Sequence, residues 1–73
     1  MQLVPLAPNM TEVETDLGRV LFSYRTPVAA YVFGKGFVRT EKWWSVPTSR
    51  HINKWIDGVP AKEVAQTYLD NLV

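Results

Sequence analysis

The order of apolar and polar side chains along this 73-residue chain switches from a period of two to a helical period after Val46. From Arg19 to Tyr24 it alternates. Val20, Phe22 and Tyr24 share one face, with Arg19, Leu21, Ser23 and Arg25 on the other, the signature of a half-buried strand. Pro27 cannot donate a ladder hydrogen bond, so a bulge, a bend or an edge is expected there. Val28-Ala29-Ala30-Tyr31-Val32-Phe33 follows as an apolar, β-forming run. Gly34-Lys35 then reads as the two-residue loop of a tight hairpin, setting Val32 against Phe37, Tyr31 against Val38 and Ala29 against Thr40. This register puts Phe37, Arg39, Glu41 and Trp43 on one face and Val38, Thr40, Lys42 and Trp44 on the other. One of the adjacent tryptophans is therefore expected to close the core and the other to face solvent.

Beyond the hairpin, residues 47–58 read as a short helix, with Thr48 as N-cap and Gly58 as terminator. Ile52, Trp55 and Ile56 recur at helical spacing and predict its buried stripe, with Arg50 and His51 towards the exposed N-terminal side. Pro60 opens a second predicted helix whose stripe is Val64, Tyr68, Leu69 and Leu72. Upstream, Thr11 to Thr15 alternates around Val13 as a short edge strand, and Asp16-Leu17-Gly18 supplies turn chemistry. Residues 1–9 hold two prolines without periodicity and read as an extended arm before a single small α+β domain at 10–73. The expected architecture is β-β-β followed by α-α: a three-stranded antiparallel sheet with two short helices packed on one face.

Size sharpens this picture. A domain this small buries only about 60% of its unfolded surface, so it needs staples or a dense core. Cysteine is absent, which removes disulfides and Cys-based metal sites, and a single histidine makes a His-based site improbable. Nine aromatics supply a core instead, and homodimerisation is a second route to burying surface. No cofactor is expected. No apolar run approaches the roughly 18 residues of a membrane helix, and the first residues lack the pattern of a secretion signal. The expectation is a soluble, cytoplasmic protein of a host cell, with no membrane partner.

The net charge of +1 is too balanced for a surface built wholly for phosphate, yet its distribution is uneven. Residues 10–18 carry Glu12, Glu14 and Asp16 without a cation, whereas residues 35–54 carry five cations and one acid. The segment from Lys42 to Trp55 holds all three tryptophans and the histidine. Arg39, Lys42, Trp43, Trp44, Ser45, Thr48, Ser49, Arg50, His51 and Lys54 are accordingly the candidate binding residues.

Three kinds of chemistry compete for them. A triad of Ser45 or Ser49 with His51 and Glu41 or Asp57 lacks a nucleophile elbow, and Ser49 and His51 diverge on a helix. No catalytic residue is assigned, and the chain is read as non-enzymatic. Glu12 and Glu14 read as a solvated face that protects an edge strand. Single-stranded nucleic acid fits aromatics interleaved with cations, and the amides at the helix start offer an anion a seat. Protein binding fits the same patch, because Trp, Tyr and Arg are enriched at interface hot spots, and an exposed edge at 11–15 would add a route by strand addition. A core with a solvated rim explains the patch without any partner.

Leu21-Phe22-Ser23-Tyr24-Arg25-Thr26-Pro27-Val28-Ala29-Ala30-Tyr31, with Arg39-Thr40-Glu41-Lys42 and the Trp44–Trp55 segment, resembles a group of small uncharacterised domains from bacteriophages and mobile elements. Their pattern joins an LFSY-x-TPVA strand, a glycine turn and an S-V-x-T-S-R-H-I-N-K helix start. The likeness covers about residues 19–56, and Pro47 departs from the threonine usual there. It carries no established chemistry, so no catalytic role is transferred. By analogy it implies an interaction module that binds, and inhibits or redirects, a host or viral protein. Ser23, Tyr24, Thr26, Thr40, Lys42, Ser45, Thr48, Ser49, His51 and Lys54 match its polar positions. They are expected to form one polar corner at the helix start, either a hydrogen-bonded brace or a ligand site.

Overall fold

The structure, a computed structural model, describes residues 2–73. Five strands run as an antiparallel meander: β1 (Gln2–Ala7), β2 (Met10–Thr15), β3 (Gly18–Ser23), β4 (Thr26–Val32) and β5 (Gly36–Thr40). Helix α1 (Val46–Ile56) then crosses over, and β6 (Lys62–Val64) returns parallel to β5 at the sheet edge. A parallel neighbour requires such a crossover, and a helix usually supplies it. Helix α2 (Gln66–Asp70) follows.

Alternation in the central strands divides the core in two. Leu21 and Ala29 pack with Met10, Val28, Ile52 and Ile56 under α1. Their neighbours Val20 and Ala30 pack with Val32, Val38 and Leu69 under α2. The helices therefore lie on opposite faces. Burial of each such Leu, Ile or Val side chain is worth about 1.5–3 kcal/mol before the entropy of ordering is set against it.

This corrects the expected three-stranded sheet with both helices on one face. The sheet has six strands, is mixed, and carries one short helix on each side. Two segments account for the difference. The extended start of the chain is β1, paired with β2 from Gln2↔Glu14 to Ala7↔Met10 with an irregularity between Pro5 and Ala7. The stretch taken as the opening of a second helix contains β6, leaving α2 only five residues. Pairing of β1 also makes β2 an interior strand, so residues 11–15 offer no free edge.

Of the bulge, bend or edge expected at Pro27, the structure has a bulge. Ala29 pairs with Leu21 while Pro27 pairs with Phe22, which leaves Val28 as the extra residue. The β4–β5 hairpin differs by one residue from its expected register. Gly36 takes φ +92° and itself pairs with Val32, so the turn spans Phe33-Gly34-Lys35. Tyr31 then faces Phe37, and Ala29 faces Arg39. A one-residue slip exchanges faces, so Phe37 and Arg39 join the α1 side while Val38 joins the α2 side.

Helix α1 begins one turn earlier than Thr48 suggests. Ser45 is its N-cap, accepting a hydrogen bond from Thr48 N, and Pro47 sits in the first turn where its missing N–H costs nothing. Asp57 ends it in the left-handed region, followed by Gly58 at φ +79°. Ile52 and Ile56 are buried as expected, and Trp55 is half-buried.

Candidate functional site

Strand β5 ends at Thr40, before the tryptophan pair. Glu41 N–H donates to the Val64 carbonyl, and Lys42 N–H donates to Thr40 Oγ1, so the chain turns out of the sheet. Trp43 and Trp44 thus lie on a loop, and the expectation of one core and one surface indole fails: both are exposed, Trp43 at 70% and Trp44 at 37%. Trp44 is tethered. Its Nε1 donates to Gln66 Oε1 at 3.1 Å, and Gln66 Nε2 donates to the Pro27 carbonyl at 2.7 Å. The Lys42 ammonium stands 4.0 Å from the Trp44 ring centroid, within cation–π range. Trp43 has no such anchor among the described contacts and projects into solvent.

A cleft of about 110 Å³ beside this loop is lined by Arg39, Lys42, Trp43, Trp44, Thr48 and Ser49, together with Thr40, Glu41, Ile52 and Glu63. Six of the ten candidate residues therefore meet at one place. Their charge is mixed, because Glu41 and Glu63 face the same cleft as Arg39 and Lys42. Arg39 Nη1 also donates to Asn53 Oδ1 at 3.2 Å, which fastens α1 to β5. Arg50 and Lys54 are exposed on α1 outside the cleft lining.

Ser45, Thr48 and His51 belong to a second cluster. Ser23 Oγ lies 3.0 Å from Thr48 Oγ1 and 2.7 Å from His51 Nδ1, and the Ser45 hydroxyl donates to Thr48 Oγ1 at 3.1 Å. Tyr24, at φ +58° in the β3–β4 turn, stacks at a tilt on the His51 ring with centroids 5.9 Å apart. The polar corner expected at the helix start exists, therefore, with Ser23 at its centre; Thr40 and Lys42 bond elsewhere. Its hydrogen bonds are internal, and the Thr48 amide is taken by Ser45 Oγ instead of being open to an anion. His51 pairs with buried Ser23, and neither Ser45 nor Ser49 contacts it as a triad would require. Of the described residues, no group of His, Cys, Asp and Glu is arranged to hold a metal ion.

Two features escaped the sequence reading. Glu12 is not a solvated edge carboxylate: it is 9% exposed, accepts from Trp55 Nε1 at 2.9 Å and lies 3.8 Å from Arg19 Nη1. The interior position of β2 explains this. Beside it, Arg19, Tyr31 and Phe37 stand opposite one another on three adjacent strands. The Arg19 guanidinium lies 5.3 Å from the Tyr31 centroid and 6.0 Å from that of Trp55, while Phe37 meets Trp55 edge-on at 5.6 Å. Alternation gives the facing of each strand separately, but only the three-residue turn aligns Tyr31 with Phe37.

These features define a small mixed α/β domain whose exposed indoles sit on a braced loop, and no helix among the described residues is long and apolar enough to cross a membrane. The chain belongs to a family of unknown function (DUF8033), whose model matches residues 1–71. That description assigns neither an activity nor an origin in phages or mobile elements. No curated protein and no solved structure matches the chain.

Proposed function

We propose that this domain is a non-enzymatic interaction module whose loop from Glu41 to Ser45 docks on another protein. The supporting observation is Trp43, 70% exposed and adjacent to an indole that hydrogen bonds hold in place. Exposed large aromatics on a fixed framework are the usual anchors of interfaces, since they bury much area with little entropy to lose. The mixed charges of Arg39, Lys42, Glu41 and Glu63 around the cleft favour a protein surface over a polyanion. The likeness to small phage domains supports a host or viral protein as the target, bound in the cytoplasm and inhibited or redirected by occupation of its surface.

Single-stranded nucleic acid is the second reading, favoured by the Lys42 ammonium over the Trp44 ring. Affinity capture from a lysate, divided into nuclease-treated and untreated halves, separates the two. A stoichiometric protein retained in both halves and lost with Trp43→Ala supports the module. Recovery only without nuclease, with affinity falling steeply in salt and a shallower slope in Arg39→Ala and Lys42→Ala, transfers the loop to nucleic acid.

A further inference from the structure

The corner beneath α1 can be followed hydrogen by hydrogen. Thr48 N–H donates to Ser45 Oγ, and the Ser45 hydroxyl donates to Thr48 Oγ1. Thr48 carries one hydroxyl hydrogen, and its other neighbour is Ser23 Oγ at 3.0 Å. Ser23 in turn has His51 Nδ1 at 2.7 Å. Both hydroxyl residues are buried, so a hydrogen with no acceptor there is unfavourable. Were Nδ1 protonated, it would donate to Ser23 and Ser23 to Thr48. Thr48 would then receive hydrogen bonds from both sides and strand its own hydrogen. The reverse direction strands none: Ser45 donates to Thr48, Thr48 to Ser23, and Ser23 to Nδ1.

The other ring nitrogen reaches solvent. It has no hydrogen-bond partner among the described contacts, yet no buried side-chain nitrogen or oxygen lacks one among the described residues. The tilted Tyr24 ring bounds the imidazole on one side. We infer that the Ser45–Thr48–Ser23 relay holds neutral His51 in its Nε2–H form, which makes the outward nitrogen a fixed hydrogen-bond donor to an oxygen acceptor. Arg25 adjoins Tyr24, Arg50 adjoins His51 and Lys54 follows three residues on along α1, all of them exposed, and this local positive charge favours a carboxylate as that acceptor. Ser23 acts here as a positioning residue, through His51. The inference stands on this cluster alone and is independent of what the tryptophan loop binds.

Long-range proton–nitrogen NMR of nitrogen-15-labelled protein, in mildly alkaline buffer where an imidazole is neutral, reads the tautomer directly. A single Nε2–H form is expected in the unaltered chain. In Ser23→Ala, the Nδ1 resonance is expected to move towards that of a tautomer mixture. An Nδ1–H form or a mixture in the unaltered chain overturns the inference, and so does a folded Ser23→Ala protein with an unmoved Nδ1 resonance. Should Ser23→Ala fail to fold, the tautomer of the unaltered chain decides alone.

Discussion

On one side of the sheet α1 runs for eleven residues, capped by Ser45 and fastened to three different strands by polar contacts. His51 reaches Ser23 on β3, Trp55 reaches Glu12 on β2, and Asn53 receives Arg39 from β5. On the other side α2 has five residues and no side-chain cap. It is seated by Leu69, by flanking Tyr68 and Leu72, and by Gln66, which reaches the Pro27 carbonyl and the Trp44 indole. It also leaves part of its face bare: a groove of about 430 Å³ runs along Leu3, Val13, Phe22, Tyr24 and Val73. The same strands thus support one helix by directional pins and the other by one buried leucine, its half-buried apolar neighbours and one glutamine. Directional contacts fix an orientation that apolar burial leaves adjustable. The better-fixed side is the one from which the tryptophan loop departs into Ser45.

Substitutions that break or sharpen this contrast fall in a clear order. Gly18→Ala strikes both sides at once. Gly18 sits at φ +146°, and an added Cβ would lie 1.9 Å from the Tyr31 carbonyl oxygen. Backbone cannot yield there without parting β3 from β4, so a loss of more than about 4 kcal/mol is expected, read as failure to fold by circular dichroism. Leu69→Ala comes next, at about 2–5 kcal/mol, because the side chain is fully buried. Hydrogen exchange should show protection lost across 66–70 well before 46–56. Simultaneous loss in both helices would mean that the two sides form one cooperative unit.

Caps give smaller and opposite effects. Ser45→Ala removes the α1 cap and should cost about 1 kcal/mol in urea unfolding. Ala65 occupies the same position before α2 with extended backbone and no side-chain bond, so Ala65→Ser should stabilise by about 0.5 kcal/mol or more. Equal losses from both substitutions would contradict the described difference between the helices.

The better-pinned side was also the more legible one. Ile52, Trp55 and Ile56 spell a helical stripe, and Gly58 marks its end. Yet Thr48 masked Ser45 as the cap, because both are good capping residues and only the backbone decides between them. Alternation around Val20 and the bulge at Pro27 were readable for the same local reason. On the α2 side, a three-residue parallel strand and a five-residue helix are shorter than the windows in which a period can show itself. Residues from Lys62 to Val64 become a strand because β5 offers them an edge, which is tertiary information. The first strand, too, lacks a pattern, Pro5 within it and Pro8 just after it arguing for an arm until β2 pairs with it. Of the site, the concentration of Trp, Lys and Arg pointed to the loop, but strand logic placed the indoles on opposite sheet faces. Thr40 ends that logic by turning the chain through its own hydroxyl. Alternation gave Ser23 a strand face, but it joined the polar corner only through a sequence likeness, since its partners lie 25 and 28 residues away.

Trp43→Ala is the substitution expected to disturb the fold least, within about 0.5 kcal/mol, because the indole is exposed and anchors nothing. The same change is expected to weaken the protein complex by at least about 1 kcal/mol, a loss of fivefold or more in affinity. Unfolding and binding of this one variant, measured side by side, bear most directly on the claim that the loop is a contact surface. Unchanged unfolding with weakened binding is the predicted pair. Lost stability, or undiminished affinity in a folded variant, would contradict it.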